Sequence, residues 1–444
     1  MSEQATGPAA GDDVELEVER IAYGGDGVGR ADGLVVFVPW TAPGERVRAR
    51  IVERHPRYAR ARLEGVLAAA DARVEPGCPV FGICGGCQLQ HLDRDAQLAS
   101  KARAVADAFE RIAGKPLAAP LACEPAAEPW HYRRRATFTW RRSKGMSALG
   151  FHAADDPGAI VDVDACPIFA ERGNAALAGL KEALADAPPA GGDAPEEARI
   201  AVRALPGQDA QAGVFCDSAE RARELAAHCA ARTGIATTWG ARSGTAAPFA
   251  LAAGAPRLVS RIEIAGLRLR VGFDSFLQAD PVAAARLYDG VESALAVRPG
   301  DRVIDGYAGI GVLTCRLSRT GARVTAVEAH AGAASDLRAN AAAASGEPVH
   351  VLELPAERVD WRRPRPDRVA LNPPRSGCAP AVLDSISRSS ARRLVYVSCD
   401  PTTLARDVRR LGSAWRLESI RAFDLFPQTA HVETVASLSR ESGP

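Results

Sequence analysis

The sequence predicts several domains: an N-terminal β-barrel, a central α+β domain and a C-terminal α/β domain with a doubly wound parallel sheet. At 444 residues, the chain is too long for one hydrophobic core. Short β-branched segments separated by glycine-rich turns follow Val14 at regular spacing, which is typical of a small barrel. From Leu267 onward, strand-like and helix-like segments alternate, which is typical of a parallel sheet covered by helices.

Composition favours a globular protein of the cytoplasm. Hydrophobic residues make up 47% of the chain, charged residues make up 25%, and the net charge is +1, as in ordinary folded domains. No apolar run reaches the roughly 18 residues that span a bilayer, and residues 1–12 are polar, so we expect a disordered tail and no membrane partner. Cysteines that cluster in a reducing compartment indicate metal binding or catalysis.

The predicted barrel carries a concentration of arginines. A glycine-rich turn at residues 24–27 and a β-branched segment at residues 34–39 predict its first strands. Two interpretations fit the arginines: a solvated basic face, or a face that binds the phosphates of a nucleic acid. These residues are Arg46, Arg48, Arg50, Arg54, Arg57, Arg60 and Arg62.

A loop after the barrel has the composition of a metal site. Cys78, Cys84 and Cys87 fall within ten residues, and two glycines separate the last two. Glycine lets successive thiolates turn toward one centre. Cys166, which precedes a proline as in some cluster-binding runs, is the candidate fourth ligand. An iron-sulfur cluster, a structural zinc ion held by four cysteines and chance proximity all fit this spacing.

Aromatic and basic side chains interleave between Trp130 and Lys144, with no acidic residue among them. Rings that stack on bases, beside guanidinium groups that hold phosphates, are what recognition of single-stranded RNA requires. The alternation from Arg135 to Arg141 also fits a half-buried strand with one basic face. The sequence leaves both interpretations open.

A glycine turn in the C-terminal half predicts a cofactor site. Residues 303–311 form a predicted strand that runs into this turn, where a ligand can approach the backbone closely. Glu328 ends the next predicted strand, where a carboxylate can accept hydrogen bonds from both hydroxyls of a ribose. The third glycine of a dinucleotide fingerprint is missing, so the turn and the acid predict S-adenosylmethionine rather than NAD.

Cys399 lies between a predicted strand at residues 394–398 and a helix that begins with Asp400 and Pro401. Ligands bind at such strand ends, and the amides of a helix N-terminus stabilise a thiolate. A buried structural cysteine is the competing interpretation. Glu433 lies in a short apolar strand near the C-terminus, where a surface carboxylate is the competing interpretation.

In order along nearly the whole chain, these motifs resemble the RNA uracil-5-methyltransferase family, and the barrel resembles its RNA-binding, OB-like TRAM domain. The resemblance implies that Cys399 is the nucleophile and Glu433 the base. It also implies that S-adenosylmethionine is contacted by Gln278, Tyr307, Glu328 and Asn372. The matching motifs are residues 24–30, 36–39, 276–280, 305–311, 372–375, 398–401, 426–429 and 431–433.

The cysteine spacing resembles the four-iron cluster site of one branch of this family, which acts on 23S ribosomal RNA. We therefore expect a [4Fe-4S] cluster rather than zinc, and RNA as the partner of a monomeric enzyme. The cluster ligands implied by the resemblance are Cys78, Cys84, Cys87 and Cys166.

The expected reaction methylates carbon 5 of a specific uridine through a covalent adduct between Cys399 and the base. Transfer RNA is the alternative substrate, and an inactive RNA-binding iron-sulfur protein is the alternative function. Asn372 motivates the latter, because it stands where the family usually has Asp, as Asp280 stands where Asn is usual. Asn-Pro-Pro also occurs in amino-group methyltransferases, whose chemistry needs no cysteine.

These expectations divide the chain into four parts. A tail covers residues 1–12 and the TRAM barrel covers residues 13–67. The central iron-sulfur and RNA-binding domain covers residues 68–93 and 121–266. The methyltransferase domain covers residues 94–120 and 267–444.

Overall fold

The N-terminal segment closes into the barrel that the sequence predicts. The computed structural model of this chain describes residues 7–117, 119–190, 195–241 and 250–440. The barrel strands are β1 (Asp13–Ile21), β2 (Gly27–Ala31), β3 (Leu34–Val38), β4 (Arg46–Arg54) and β5 (Tyr58–Ala68). They close in the order β1-β2-β3-β5-β4. On β4, Val47, Ala49 and Ile51 fill the barrel and the arginines between them are exposed, because alternate residues of a strand face opposite sides.

Part of the predicted tail is joined to the barrel. Residues 1–6 lie outside the described residues. The amide of Gly11 donates a hydrogen bond of 2.8 Å to the carbonyl of Ile51. Contacts with the barrel therefore begin before residue 13.

Four of the seven arginines in residues 46–62 of the barrel are paired with carboxylates. Arg48 and Arg50 lie directly opposite Glu15 and Asp13 on the neighbouring strand, with N–O distances of 3.1 and 2.9 Å. Exposed pairs of this kind add little stability, but they cancel charge on this face. The other two pairs are Arg60–Asp26 and Arg62–Glu64. Within the described chain, Arg46, Arg54 and Arg57 form no ion pair.

The first helix belongs to the C-terminal core. Helix α1 (Arg94–Ala108) begins at Asp93, whose side chain accepts from the amide of Ala96, and it runs on as a π-helix at Phe109–Ala113. Val105 and Phe109 pack into the largest buried cluster of the C-terminal half. The short strand β6 (Cys123–Glu124) follows.

The central domain is a sheet with helices packed against it. Its elements are β7 (Arg135–Ser143), β8 (Met146–His152), β9 (Ile160–Asp162), α2 (Glu171–Ala185), β10 (Glu196–Arg203), β11 (Gln211–Cys216), α3 (Ala219–Thr233), β12 (Ala236–Ala241) and β13 (Ala250–Leu251). The seven strands lie in the order β13-β12-β11-β10-β7-β8-β9. Leu177 and Leu180 of α2 and Leu225 of α3 pack on this sheet. The predicted α+β character of this domain is therefore confirmed.

Three aromatic residues of the basic stretch are core residues, whereas Trp130 is half-buried. Tyr132, Phe138 and Trp140 are each at most 2% exposed, so of the two interpretations the half-buried strand applies to these rings. Arg135 is also used within the protein, since its guanidinium donates to the carbonyl of Phe273 at 2.7 Å. The half-buried strand explains the pattern because its aromatic side chains face α2 and its neighbours rather than solvent.

The C-terminal half forms a hairpin and a large sheet. Its elements are β14 (Val259–Ile264), β15 (Leu267–Gly272), α4 (Pro281–Leu295), β16 (Arg302–Gly306), α5 (Val312–Arg319), β17 (Arg323–Val327), α6 (Ala331–Ala343), β18 (His350–Leu352), β19 (Arg368–Leu371), α7 (Pro380–Ser387), β20 (Arg393–Ser398), α8 (Pro401–Leu411), β21 (Trp415–Phe423) and β22 (Glu433–Arg440). The sheet order is β18-β17-β16-β19-β20-β22-β21-β6. Strands β16 to β20 are parallel, and β22 is antiparallel to β20 and β21.

The order of this sheet creates a ligand crevice. The chain runs outward from β16 to β17 and β18, then returns to place β19 on the other side of β16. Such a reversal leaves a crevice at the carboxyl ends of the strands, where ligands of open α/β sheets bind. The doubly wound C-terminal sheet is therefore confirmed, with its switch point between β16 and β19.

Two features of the sheet bear on the predicted domain division. The boundary between residues 266 and 267 falls in the turn of the β14–β15 hairpin. Strand β6 pairs with β21 at the edge of the C-terminal sheet, although residues 121–266 were assigned to the central domain. Among the described residues, no helix is both long and apolar enough to cross a membrane.

Candidate active site

Five of the predicted site residues lie along one edge of the C-terminal sheet. Tyr307 follows β16, Glu328 follows β17, Asn372 follows β19 and Cys399 follows β20. Glu433 begins β22, which runs antiparallel to β20 and therefore starts beside the end of that strand. The strand register aligns these ends, so the predicted residues form a row on both sides of the switch point.

Cys399 is held at a strand-to-helix junction, as predicted. The carboxylate of Asp400 caps α8 by accepting from the amides of Thr402 and Thr403 at 2.9 and 3.1 Å. Burial, followed by the carboxylate of Glu433, raises the pKa of the Cys399 thiol to about 11. The expected thiolate-stabilising effect of the helix N-terminus is therefore outweighed in the free protein. The thiol is half-buried and protonated near neutral pH.

Glu433 is a buried carboxyl group rather than a surface one. It is 3% exposed, and burial raises its pKa to about 7. Its Oε2 atom has no hydrogen-bond partner among the described residues. A buried carboxylate without a partner has a high affinity for a proton, and a group that titrates near neutral pH suits general base catalysis.

Arg375 brings a positive charge to the same end of the sheet. Its Nε atom lies 3.5 Å from the carboxylate of Asp400, and its charge lowers the pKa of Cys399 against the effect of burial. Tyr23, in the turn after β1 of the barrel, donates its hydroxyl to the carbonyl of Cys399 at 3.4 Å. The barrel therefore contacts the backbone of the candidate nucleophile.

The predicted cofactor acid is anchored to the glycine turn. Glu328 accepts hydrogen bonds from the amides of Gly309 at 2.8 Å and His330 at 2.7 Å. Gly309 and Gly311 have φ angles of 58° and 87°, a region that glycine occupies without steric cost. Tyr307 has a φ of 60°, so the turn begins with a strained residue. This arrangement leaves backbone amides and one carboxylate around a concave strand end.

Gln278 lies apart from that row, in a cavity of about 560 Å³ that it shares with the cysteine loop. The same cavity is lined by Phe426 and His431, which precede Glu433 in the chain. Gln278 is 4% exposed, and its Oε1 atom has no hydrogen-bond partner in the described part of the chain. An unpartnered buried amide oxygen facing a cavity suits a ligand that donates a hydrogen bond.

The four predicted metal ligands surround one cavity. All four are free cysteines. Asn174 holds the backbone of Cys166 by accepting a hydrogen bond from its amide and donating one to its carbonyl. Within the described ranges, no three His, Cys, Asp or Glu side chains are placed to hold a single metal ion. The cavity is lined by Cys78, Cys84, Cys87 and Cys166.

Four thiols around one cavity are a donor set that iron-sulfur clusters and structural zinc ions both use. Each iron of a four-iron cluster takes one thiolate, so the sulfurs stand farther apart than around one zinc ion. Burial raises the pKa of Cys87 to about 12, and a bound metal centre would have to displace that proton.

Comparison with known proteins identifies the family. A family model described as tRNA (Uracil-5-)-methyltransferase matches residues 258–441, and a TRAM domain model matches residues 10–63. An uncharacterized RNA methyltransferase of Thermosynechococcus vestitus is 33% identical over 96% of this chain and 98% of its own. The 23S rRNA (uracil(1939)-C(5))-methyltransferase RlmD of Alkalilimnicola ehrlichii is 33% identical over 96% of this chain and 97% of its own. The chain belongs to the RNA uracil-5-methyltransferase family.

A solved structure shares the fold of this RNA uracil-5-methyltransferase family member over nearly its whole length. The tRNA (uracil-54, C5)-methyltransferase of Pyrococcus abyssi, determined in complex with S-adenosyl-L-homocysteine, superposes with a TM-score of 0.72 at 23% identity. The match covers 95% of this chain and 99% of that one. The order of barrel, central domain and C-terminal sheet is therefore shared within the fold.

Sequence reasoning missed three residues of this RNA uracil-5-methyltransferase site. Arg375 lies within the matching motif at residues 372–375, but the motif alone does not indicate that its charge acts on Cys399. His431 was also in a motif; burial, followed by the charge of Arg375, lowers its pKa to about 4, so it is neutral near pH 7. Nothing in the sequence indicated that Tyr23 belongs to the site, because its contact with Cys399 joins residues far apart in the chain.

Proposed function

We propose that this protein methylates carbon 5 of a uridine in 23S ribosomal RNA, using S-adenosylmethionine. The observation that carries the proposal is the pairing of Cys399 with Glu433 at neighbouring ends of β20 and β22. This substitution requires a thiol and a basic carboxylate, and the Oε2 atom of Glu433 has no hydrogen-bond partner among the described residues. We further propose that the enzyme acts as a monomer in the cytoplasm.

The chemistry assigns each residue one step. The Cys399 thiolate adds to carbon 6 of uracil, which turns the ring into an enolate with a nucleophilic carbon 5. S-adenosylmethionine, when bound, supplies the methyl group that this carbon takes. Glu433 then removes the proton from carbon 5. The electrons of that C–H bond re-form the C5–C6 double bond, and the thiolate leaves as the S–C6 bond breaks.

A nearby positive charge favours formation of the Cys399 thiolate. Arg375 is the cation whose charge favours the ionised form of Cys399. Because the thiol is protonated in the free enzyme, we propose that deprotonation accompanies RNA binding.

The methyl donor is proposed to lie over the glycine turn. Glu328 and Tyr307 flank that turn, and Asn372 follows the adjacent strand across the switch point. The backbone amide of Asn372 donates to the carbonyl of Gly306 at 3.2 Å. Gln278 would reach the donor from the loop before α4. Asn372 can hydrogen-bond a ligand through its side chain but cannot supply the charge of the usual Asp.

The covalent step is tested with Cys399→Ala. We expect the variant to bind S-adenosylmethionine and to lose transfer of a labelled methyl group to RNA, since no other group would activate carbon 5. Cys229→Ala, at a buried cysteine of α3, is the matched control and should retain activity. Normal turnover in Cys399→Ala would overturn the mechanism.

The RNA substrate is tested by offering both candidates. Protein incubated with labelled methyl donor should modify unmethylated 23S ribosomal RNA and leave unmodified transfer RNA unlabelled. The support for ribosomal RNA is the named function of the relative from Alkalilimnicola ehrlichii. Labelling of transfer RNA alone would assign the other substrate, and RNA binding without any labelling would favour an inactive RNA-binding protein.

We also propose that the cysteine cavity holds a [4Fe-4S] cluster. The support is the set of four thiols around one cavity, together with the resemblance of their spacing to the four-iron cluster site of one branch of the family. Anaerobically purified protein should contain iron and acid-labile sulfide in equal amounts, and Cys166→Ala should lose both. Stoichiometric zinc without sulfide would overturn this assignment.

A further inference from the structure

The segment that carries the catalytic base is held by groups from three other parts of the protein. We call residues 424–432, which lead from β21 to Glu433, the base loop, and residues 78–91 the cysteine loop. Lys101 of α1 donates to the carbonyl of Phe426 at 2.9 Å. Tyr132 donates its hydroxyl to the carbonyl of Pro427 at 3.0 Å. The backbone of the base loop is therefore braced from outside the sheet.

At the centre of the base loop is Gln428, in a conformation that needs support. Its φ is 71°, in the left-handed region where residues other than glycine are strained. Gln97 of α1 exchanges two hydrogen bonds of 3.0 Å with it, accepting from its amide and donating to its side-chain oxygen. These contacts offset the strain at this position.

The cysteine loop completes the bracket through Gln88. The amides of Gln88 and Leu89 donate to the carbonyl of Gln428 at 3.2 and 3.0 Å. The Oε1 atom of Gln88 accepts from the amide of Ala430 at 3.3 Å, three residues before Glu433. Its Nε2 atom donates back to the carbonyl of Gly85 at 2.9 Å. One side chain thus joins the cysteine loop to the base loop.

The barrel closes over this junction. Gly25 lies in the turn after β1, and a Cβ atom placed on it would stand 2.5 Å from Cβ of Gln88 and 3.6 Å from Cβ of Ala430. Such a separation is too short for two carbon atoms, so only glycine fits. The packing leaves the Gln88 side chain little freedom to leave the base loop.

From this geometry we propose that Gln88 is a positioning residue for Glu433. It touches neither substrate nor reacting atoms; it acts by fixing the base loop so that the buried carboxylate faces carbon 5 after methyl transfer. The inference rests on the proposed function, since it gives Glu433 its task. The role of Gln88 makes a prediction separate from that of the proposed function, because Gln88 affects removal of the carbon-5 proton and not the attack by Cys399.

The test separates these two steps in single turnovers. RNA carrying tritium at carbon 5 of uridine is mixed with enzyme and labelled S-adenosylmethionine, and methyl incorporation and tritium release are followed together. In Gln88→Met, which keeps the side-chain length but removes both side-chain hydrogen bonds, methyl incorporation should be unchanged. Tritium release should slow about ten-fold or more, since misplaced groups lose rates of this size, and the methylated covalent adduct should persist on denaturing gels.

Two further variants distinguish positioning from general damage. Gln88→Glu keeps an acceptor for the Ala430 amide and should recover most of the tritium release. Gln208→Ala removes a side chain whose hydrogen bonds, in the described chain, are made only with the backbone of Arg261, and this variant should behave as wild type. Thermal melts identify any variant that is simply unfolded.

The outcomes separate the inference from the function beneath it. Wild type that neither forms an adduct nor methylates RNA would remove the proposed function. Active wild type with equal tritium release in Gln88→Met would overturn the positioning role alone. Equal slowing of methyl incorporation and tritium release would also overturn it, because a structural loss affects both steps.

Discussion

Ionisation of the buried carboxyl group of Glu433 lowers the stability of the folded protein. Its Oε2 atom is buried without a hydrogen-bond partner in the described chain, and burial raises the pKa of the group to about 7 from an ordinary value of 4.5. A proton is therefore held more tightly in the folded state than in the unfolded state between these values. Folding stability that is present below about pH 4.5 is lost as pH rises through about 7.

Glu433→Gln should remove this loss. At pH 8 we expect the variant to exceed wild type in free energy of unfolding by an amount on the order of 1–3 kcal/mol, with little difference at pH 4.5. Urea unfolding at both pH values measures the change. Exposed Glu347→Gln is the control and should show no such difference. Asp305, whose pKa burial also raises to about 7, remains in all variants and leaves a residual slope.

The same carboxyl group sets the pH dependence of turnover. In the proposed mechanism Glu433 acts as a base and its ionised form is the active one, so kcat should rise with pH through about 7. Rates in buffers from pH 5.5 to 8.5 at saturating RNA and methyl donor measure this. A rate that falls over that range would contradict the assigned role.

At the scale of single elements, α8 links stability to the nucleophile through its first residue. Asp400 both caps the helix and pairs with Arg375. Asp400→Ala removes cap and ion pair, and loss of a cap usually costs about 1 kcal/mol. Asp400→Asn keeps a capping oxygen and removes only the charge.

We therefore expect these two variants to separate. Denaturant unfolding should show a loss of about 1 kcal/mol for Asp400→Ala and a smaller loss for Asp400→Asn. Both should alter the rate at which an iodoacetamide probe alkylates Cys399, since Arg375 is released from its partner. Equal stability of the two variants would show that the cap contributes nothing here.

At the scale of the whole molecule, only some of the barrel arginines are free of ion pairs and so able to bind RNA phosphates directly. Arg46, Arg54 and Arg57 have no ion pair among the described residues, whereas Arg48 and Arg50 are paired with acids of β1. Only unpaired cations can neutralise phosphates without first breaking an ion pair. Arg46, Arg54 and Arg57 are therefore the arginines of this face that we expect to bind phosphates.

Replacing these three by Gln should weaken RNA binding and its salt dependence. The log-log slope of affinity against salt should fall by about 2, since each phosphate contact of a single strand contributes about 0.7. Filter binding at several salt concentrations measures the slope. The matched control replaces Arg48, Arg50 and Arg62, which are paired, and should change the slope much less.

How far the sequence reaches depends on the kind of contact. Cys399, Glu328 and Asn372 were predictable because each ends a strand, and parallel strands bring their ends to one edge. For the basic aromatic stretch the sequence left two interpretations open, because an alternating pattern does not say which face is buried; in the structure Trp140 faces the core. The pKa of Cys399 was beyond prediction, since it depends on burial and on Glu433 across the sheet.

The contact between Tyr23 and the carbonyl of Cys399 limits how freely this enzyme's parts can be exchanged. An appended RNA-binding barrel is usually treated as a detachable module, whose removal weakens substrate capture and leaves the chemistry intact. Here its turn also contacts the backbone of Cys399, the proposed nucleophile, and packs on Gln88. A chimaera that carries a foreign barrel would need to reproduce both the tyrosine and the glycine of that turn, so modular redesign has to begin at this seam.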